Sequence, residues 1–424
     1  MQTKYLILII FMSSILILNE LPIGFTEEEW KNRHLIESMG RETDPPIGPI
    51  RNIAEYEPMQ GVLIRYPFGI STSLIQEMAE DVKIYCLVSS NSQNSAFNSM
   101  NNAGVNMDNV EFILGSTDSH WTRDYGPWWV VDGNGDIAIV DFTYNRPRPN
   151  DNDAPLKVSN HLDVPYYSAD FVSTGGNYMT DGFGLSAATQ IAYTENNECN
   201  TNDQSSIPLA PCQYVDDIME DYYGISDYYV VADPNDEYID HIDCWGKFLS
   251  PTKLLIRSVP TSHSQYNMIE EVVNYFEGVE ASNGQPFEIF RVYTPNDQPY
   301  TNSLILNNKV FVPVMNSSWD DEALDIYQVA LPGYDILPFT GSWMSTDALH
   351  CRVKGIPDIS LYQYSQGDVN ADNVVNVLDI VLAVNFVLGL DSPSNIQSTL
   401  ADMNSDGILN VLDIILIVNE VIGE

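Results

Sequence analysis

Positive charge is what this chain lacks. Its 18 lysines and arginines stand against 59 aspartates and glutamates, a formal net charge of −41 over 424 residues. Such an imbalance excludes nucleic acid as a natural partner, because phosphate would be repelled over most of the surface. It accords with solubility or a salty habitat, and equally with attraction of cationic, arginine-bearing molecules. Cysteine is scarce as well. Five is an odd number, so at least one is free or paired outside the chain. Long apolar runs are confined to residues 1–18, where Lys4 precedes Tyr5-Leu6-Ile7-Leu8-Ile9-Ile10-Phe11-Met12 and then Ile15-Leu16-Ile17-Leu18. That run is too short for a spanning helix and reads as a secretory signal, with a leader expected over 1–24, although no A-x-A cleavage site follows. An uncleaved anchor is the alternative. No other segment is a membrane candidate.

Export permits a disulfide between Cys199 and Cys212, which flank a polar loop. Cys86 lies inside the apolar run 82–88 and reads as core, and Cys244, beside Asp243, as packed. Cys351 is left as the reactive candidate.

What is present in quantity is apolar and aromatic matter: 44% hydrophobic residues, with 24 Tyr, 15 Phe and 7 Trp, the composition of a folded protein. From about residue 50 to 362, strand-like runs (61–66, 110–114, 137–142, 253–257, 303–306, 310–314 and 359–361) alternate with helix-like runs (73–79 and 268–276), which predicts an α/β domain with mixed sheets.

The tail has its own grammar. Oxygen side chains fall at loop positions 1, 3, 5, 9 and 12 in two copies offset by 34 residues: Asp368, Asn370, Asp372, Asn376 and Asp379, then Asp402, Asn404, Asp406, Asn410 and Asp413. This is the calcium-loop spacing of an EF-hand, with aspartate for glutamate at position 12, and each loop leads into an apolar helix. Position 6 wants a positive φ, which Gly407 supplies and Asn373 tolerates.

Three polar segments bring together a different chemistry: His120–Pro127, Asp240-His241-Ile242-Asp243 and Leu349-His350-Cys351-Arg352. A thiol, an imidazole and two carboxylates suffice to hydrolyse a guanidinium group. The carboxylates hold the planar cation, the thiolate attacks its central carbon, and the imidazole moves protons. If 239–243 is extended, His241 and Asp243 project from one face and reach one ligand. The bland alternative for Asp124 is a salt bridge to the neighbouring Arg123.

Trp121-Thr122-Arg123-Asp124-Tyr125-Gly126-Pro127, Gly175-Gly176-Asn177, His241-Ile242-Asp243 and His350-Cys351 resemble, in order, the motifs of the agmatine deiminase and bacterial peptidylarginine deiminase family, over roughly 45–365. The resemblance implies the pentein fold, a five-fold pseudosymmetric propeller of ββαβ units around a central channel. It implies Cys351 as nucleophile, His241 as general acid/base, Asp124 and Asp243 as guanidinium clamps and Asn302 as a further active-site residue, with no metal needed for the chemistry. Trp121 and Ile239 would flank the substrate's aliphatic stem, with Tyr238 at the mouth. Arg146 and Arg148 resemble the pair that binds a peptide's C-terminal carboxylate in the secreted branch; a solvated basic turn near Asp151 and Asp153 is the alternative.

The tail, 366–424, resembles a type I dockerin, an all-α calcium-binding module that plugs into cohesin receptors. Its loop positions 10 and 11 are Val377-Leu378 and Val411-Leu412, where many cellulosomal dockerins carry small hydroxyl residues. The expected whole is a secreted or surface-attached deiminase over 25–365 with a dockerin-like tail, acting on peptides with C-terminal arginine. The rivals are an agmatine deiminase and a non-catalytic arginine-binding scaffold protein.

Overall fold

The computed structural model describes residues 20–199, 205–282, 284–363, 365–372, 374–393, 395–404 and 407–422. The expected leader through residue 19, and Asn373 and Asp406 of the two tail loops, lie outside the described residues.

Five sheets share one construction. In each, a short strand runs antiparallel to a central strand, which is followed by a helix and then by a parallel strand. The first has Lys354–Pro357 against Met59–Arg65, with Lys83–Val88 parallel and Val110–Leu114 added outside. The second has Trp128–Val131, Ile137–Tyr144 and Tyr166–Ser173. The third has Met179–Thr180, Leu185–Thr189 and Asp227–Val231. The fourth has Gly246–Ser250, Lys253–Ser258 and Glu288–Tyr293. The fifth has Leu304–Leu306, Lys309–Val314 and Asp335–Thr340. The strand farthest along the chain completes the sheet begun by Met59–Arg65, so the two ends of the domain are sewn together and the array closes on itself.

The central strands are buried along almost their whole length, which is why Val62-Leu63-Ile64 and Val310-Phe311-Val312 read as apolar runs and not as alternations. The crossover helices are amphipathic. Tyr266–Phe276 buries Ile269, Val272, Val273 and Phe276, one face at helical spacing. Gln213–Tyr223 stops at Gly224, whose φ of 66° forms the left-handed cap that a Cβ would oppose.

One expected strand is corrected. Residues 359–361 belong to a 3₁₀ turn, Ile359–Gln363, and the pairing with Met59–Arg65 is made by Lys354–Pro357. Pro357 has no N–H to carry the ladder onward. Cys199 and Cys212 are bonded, their Cα atoms 5.3 Å apart, and Cys86 is core. The tail packs Val377–Val387, Asn395–Ala401 and Val411–Ile422 around Val369, Ala383, Phe386, Ala401 and Ile417.

Candidate active site

Each of the five units contributes the segment just before its first strand, and hydrogen bonds join these five segments in a circle. Arg123 N donates to Cys351 O (3.2 Å), Gly175 N to Asp124 O (2.8 Å), and Ile242 N to the Asn177 side chain (3.2 Å). Asn302 Nδ2 reaches Asp243 O at 3.5 Å, and His350 N donates to Asn302 O at 3.1 Å, which returns the circle to Cys351. Residues hundreds apart in sequence thus meet because each sits at the same station of a repeated unit.

Inside this circle lie the thiol, the imidazole and both carboxylates. Cys351 Sγ is 3.2 Å from Asn302 Nδ2 and 3.6 Å from Asp243 Oδ2, and is fully buried. His241 Nδ1 is 3.6 Å from Asp124 Oδ1, both side chains buried. Neither ring nitrogen of His241, nor Asp124 Oδ1, has a hydrogen-bond partner among the described residues. Buried polar atoms are ordinarily satisfied, so these orphans mark where a polar ligand would be held. Arg123 does not pair with Asp124; it reaches Glu55 at 2.6 Å.

Electrostatics divides the two aspartates. Burial, and then the charge of Asp243, push the Asp124 carboxyl well above its usual range. Burial also acts on Asp243, but the hydrogen bond and charge of His350 outweigh it and leave that carboxyl below the usual range. Burial and the nearby Asp243, Asp124 and Asp347 carboxylates push the Cys351 thiol well up. His241 is pushed down to about 4, mainly by burial, so it is neutral at pH 7. A bound guanidinium reverses the balance for both Asp124 and Cys351, since a cation favours carboxylate and thiolate.

The expectation of an extended 239–243 is corrected. Asp240 has a φ of 52° and Ile242–Cys244 form a 3₁₀ turn. The turn is held by Asn177, whose Oδ1 also accepts from Thr189 N at 2.9 Å, and by the Thr189 hydroxyl on Asp240 O. His241 and Asp243 both reach the site all the same, His241 beside Asp124 and Asp243 beside Cys351.

Sequence reasoning missed three contributors. Glu55 accepts from Arg123, from Lys247 (2.7 Å), from His350 Nε2 (2.6 Å) and from Ile305 N (3.0 Å), and the His350, Lys247 and Arg123 side chains hold its carboxyl well below the usual range despite burial. His350, beyond lending its backbone, spans Glu55 and Asp243, its Nδ1 being 2.7 Å from Asp243 Oδ2. Gly176 is a space requirement: a Cβ there would stand 2.4 Å from His241 Nδ1 and 2.7 Å from Asp124 Oδ1. The paired glycines were a visible signal for the last; nothing local distinguishes Glu55 from the other 58 acidic residues. Cys244, expected merely to pack, does so within the same apolar cluster as Cys351, and its Sγ lies 3.6 Å from Asp243 Oδ1.

Trp121 and Ile239, expected to flank the substrate stem, are buried in one cluster with Cys351, and Tyr238, expected at the mouth, is 65% exposed. Arg146 and Arg148 are buried, not solvated as a free basic turn would be. Both hold the chain's own residues 22–29: Arg148 clasps the Glu29 carboxylate (2.7 and 3.3 Å), and Arg146 Nε donates to Ile23 O (3.1 Å).

The family model of the Porphyromonas-type peptidyl-arginine deiminase matches residues 53–357, a span that contains all these segments. The chain belongs to that family. It is a guanidino-group deiminase of the peptidylarginine and agmatine deiminase type. The agmatine deiminase of Medicago truncatula is 24% identical over 307 residues, covering 59% of this chain and 79% of that one. Among solved structures, the agmatine deiminase of Enterococcus faecalis superposes with a TM-score of 0.62 at 17% identity, over 80% of this chain and all of that one. The agmatine deiminase of C. jejuni gives 0.60 at 18% identity, over 73% and 96%. These likenesses carry the fold, which is the expected pentein.

Residues 366–422 match the type I dockerin domain. Its two loops are wired alike. Asp379 accepts from Asn370 N (3.0 Å) and Asn376 N (2.8 Å), and Asp413 from Asn404 N (3.3 Å) and Asn410 N (2.8 Å). Asp372 N donates to Asp368 Oδ1, and Gly407, with φ 74°, donates to Asp402 Oδ2. Among the described residues no three His, Cys, Asp or Glu side chains stand together as a ready metal cluster. The donors of each loop are asparagine and aspartate oxygens throughout, the chemistry of a hard cation.

Proposed function

We propose that the protein is a secreted deiminase, with a leader over 1–24, a catalytic domain over 25–365 and a dockerin over 366–424, that converts C-terminal arginine of peptides, and free arginine, to citrulline and ammonia. The observation that carries the chemistry is the buried set of Cys351, Asn302 and Asp243 in contact, beside Asp124 and His241 with their polar atoms unsatisfied. Asp124 and Asp243 clamp the guanidinium. Neutral His241 takes the Cys351 thiol proton as the sulfur adds to the central carbon and hands that proton to the leaving nitrogen, and ammonia departs. Water activated by His241 attacks the S-alkylthiouronium, the C–S bond breaks, and a ureido product leaves the thiol restored.

The carboxylate preference rests on Arg148, which clasps a carboxylate of the chain itself in the bidentate manner arginine favours. Agmatine has no such group. A series of short peptides with arginine internal or terminal, set against agmatine, for wild type and Arg148→Ala, tests this reading. Preferred turnover of terminal arginine, lost by tenfold or more in Arg148→Ala, is expected. Better turnover of agmatine, with Arg148→Ala neutral on peptides, would establish the second reading, favoured by relatives that are agmatine deiminases. Absence of ammonia release from any guanidine would instead leave an arginine-binding scaffold protein; release abolished by Cys351→Ser rules that out.

A dockerin implies a cohesin or scaffold partner. Asp368, Asn370, Asp372, Asn376 and Asp379, with the matching set from Asp402 to Asp413 and including Asp406, would hold calcium, which would tie each loop to the start of its helix. Val377, Leu378, Val411 and Leu412 are exposed on those helices, an apolar and not a hydroxyl-lined docking face.

A further inference from the structure

The five residues expected to receive the substrate's stem and carboxylate already have an occupant. Ile23 is 2% exposed and lies in one apolar cluster with Trp121, Ile239, Cys244 and Cys351. On either side of it, Arg148 Nη2 donates to Pro22 O (2.7 Å) and Gly24 O (2.9 Å) while its guanidinium also holds Glu29. The Arg146 guanidinium lies 4.4 Å from the centre of the Phe25 ring, a cation–π contact. Gly24 sits so close to Tyr238 that a Cβ would come within 2.6 Å of its ring. The segment is secured at both ends. Glu20 pairs with Arg65 and accepts from His120 N at 3.0 Å, and the helix Glu27–Lys31 is started by a reciprocal cap between Thr26 and Glu29.

We propose that residues 20–31, whose first five belong to the leader, are an intramolecular plug and that the unprocessed chain as folded is a latent form of the enzyme. The plug mimics part of a substrate. It offers an aliphatic side chain where the arginine stem would lie and a carboxylate where Arg148 would take the peptide terminus. It presents no guanidinium. Asp124 Oδ1 and both nitrogens of His241 therefore stay unsatisfied beneath it, so the segment blocks the slot without being attacked, held at its start by Arg65 and His120 and beyond that by groups that a substrate would also use. Activity then depends on the segment leaving. Lys31, the last residue of the plug, and Arg33, just past it, are exposed, as a cleavable junction would be.

This inference rests on Cys351 being the nucleophile, and a readout that needs no turnover keeps the two claims separate. Full-length wild type, the double variant Ile23→Ser/Glu29→Gln and the conservative Ile23→Val are treated with iodoacetamide at fixed pH. Alkylation is followed by mass spectrometry on the peptide containing Cys351, with circular dichroism as the check on folding. The double variant is expected to be alkylated at least tenfold faster than wild type and to show a similar gain in kcat/KM on peptides ending in arginine, with Ile23→Val near wild type. Equal or slower alkylation in a folded double variant overturns the plug. Should the double variant misfold, deletion of residues 20–31 is measured in the same way, and an unchanged rate there overturns it too. Faster alkylation with no hydrolysis of any guanidine by any form keeps the plug and sinks the deiminase reading.

Discussion

At the scale of single residues, the site is governed by two kinds of constraint, charge balance and room. Glu55 offsets Arg123 and Lys247 at once and also meets His350 Nε2, so Glu55→Gln leaves two buried cations uncompensated. A loss of about 3–5 kcal/mol is expected, the cost of breaking a buried ion pair by removing one partner, and urea unfolding monitored by tryptophan fluorescence measures it. Gly176→Ala puts a methyl group against His241 and Asp124. An unchanged fold with kcat down by about 10²-fold is expected, because an ångström of misplacement in a reacting group costs that much; crystallography or circular dichroism beside steady-state kinetics checks both halves. The raised Asp124 carboxyl predicts a pH effect on binding. A guanidinium binds the ionised form, so affinity should climb with pH until it passes the raised pKa of Asp124 and then level off. Titration calorimetry with Cys351→Ser and an arginine-terminated peptide reads this, and an affinity that nowhere rises with pH above the ordinary carboxylate range would refute it. His241, down at about 4, stays neutral near pH 7 and adds no inflection there.

At the scale of elements, the legible parts were those with local signals. Helix spacing gave Tyr266–Phe276, apolar runs gave the central strands, and the repeated oxygens of the tail marked both of its loops. The turn at 241–244 was not legible, because its shape depends on the side chain of Asn177, some 65 residues earlier, and on Thr189. For the tail, Asp379 and Asp413 knit each loop to the start of its helix. Calcium removal by a chelator should melt 366–422 as a separate low-temperature transition in calorimetry, and Asp379→Ala should produce the same change even with calcium present. A scan indifferent to chelator would contradict the calcium reading.

At the scale of the whole molecule, excess negative charge meets a set of carboxyls that folding keeps protonated. Burial drives Asp141, Asp151 and Glu195 up to about 7 and Asp233 to about 8. In the unfolded chain such groups ionise near pH 4, so the folded state binds more protons between that pH and about 7 or 8. Their contribution to stability is greatest below pH 4 and is lost as pH rises through the folded values. The melting temperature is therefore expected to fall from pH 5 to pH 8, with screening of the −41 net charge by salt raising it at the upper end; thermal scans across that range decide it. The amino-acid sequence by itself determined the chemical kit, the paired loops and the alternation of strands and helices, because each is written in residue type and short spacing. Only the tertiary structure decided that five pre-strand segments close into one ring, that Glu55 and His350 stand behind the aspartates, and that residues 23–29 lie against Trp121, Ile239, Arg146 and Arg148. Those facts depend on contacts between residues up to 295 positions apart, and no local pattern records which distant partner a side chain will meet.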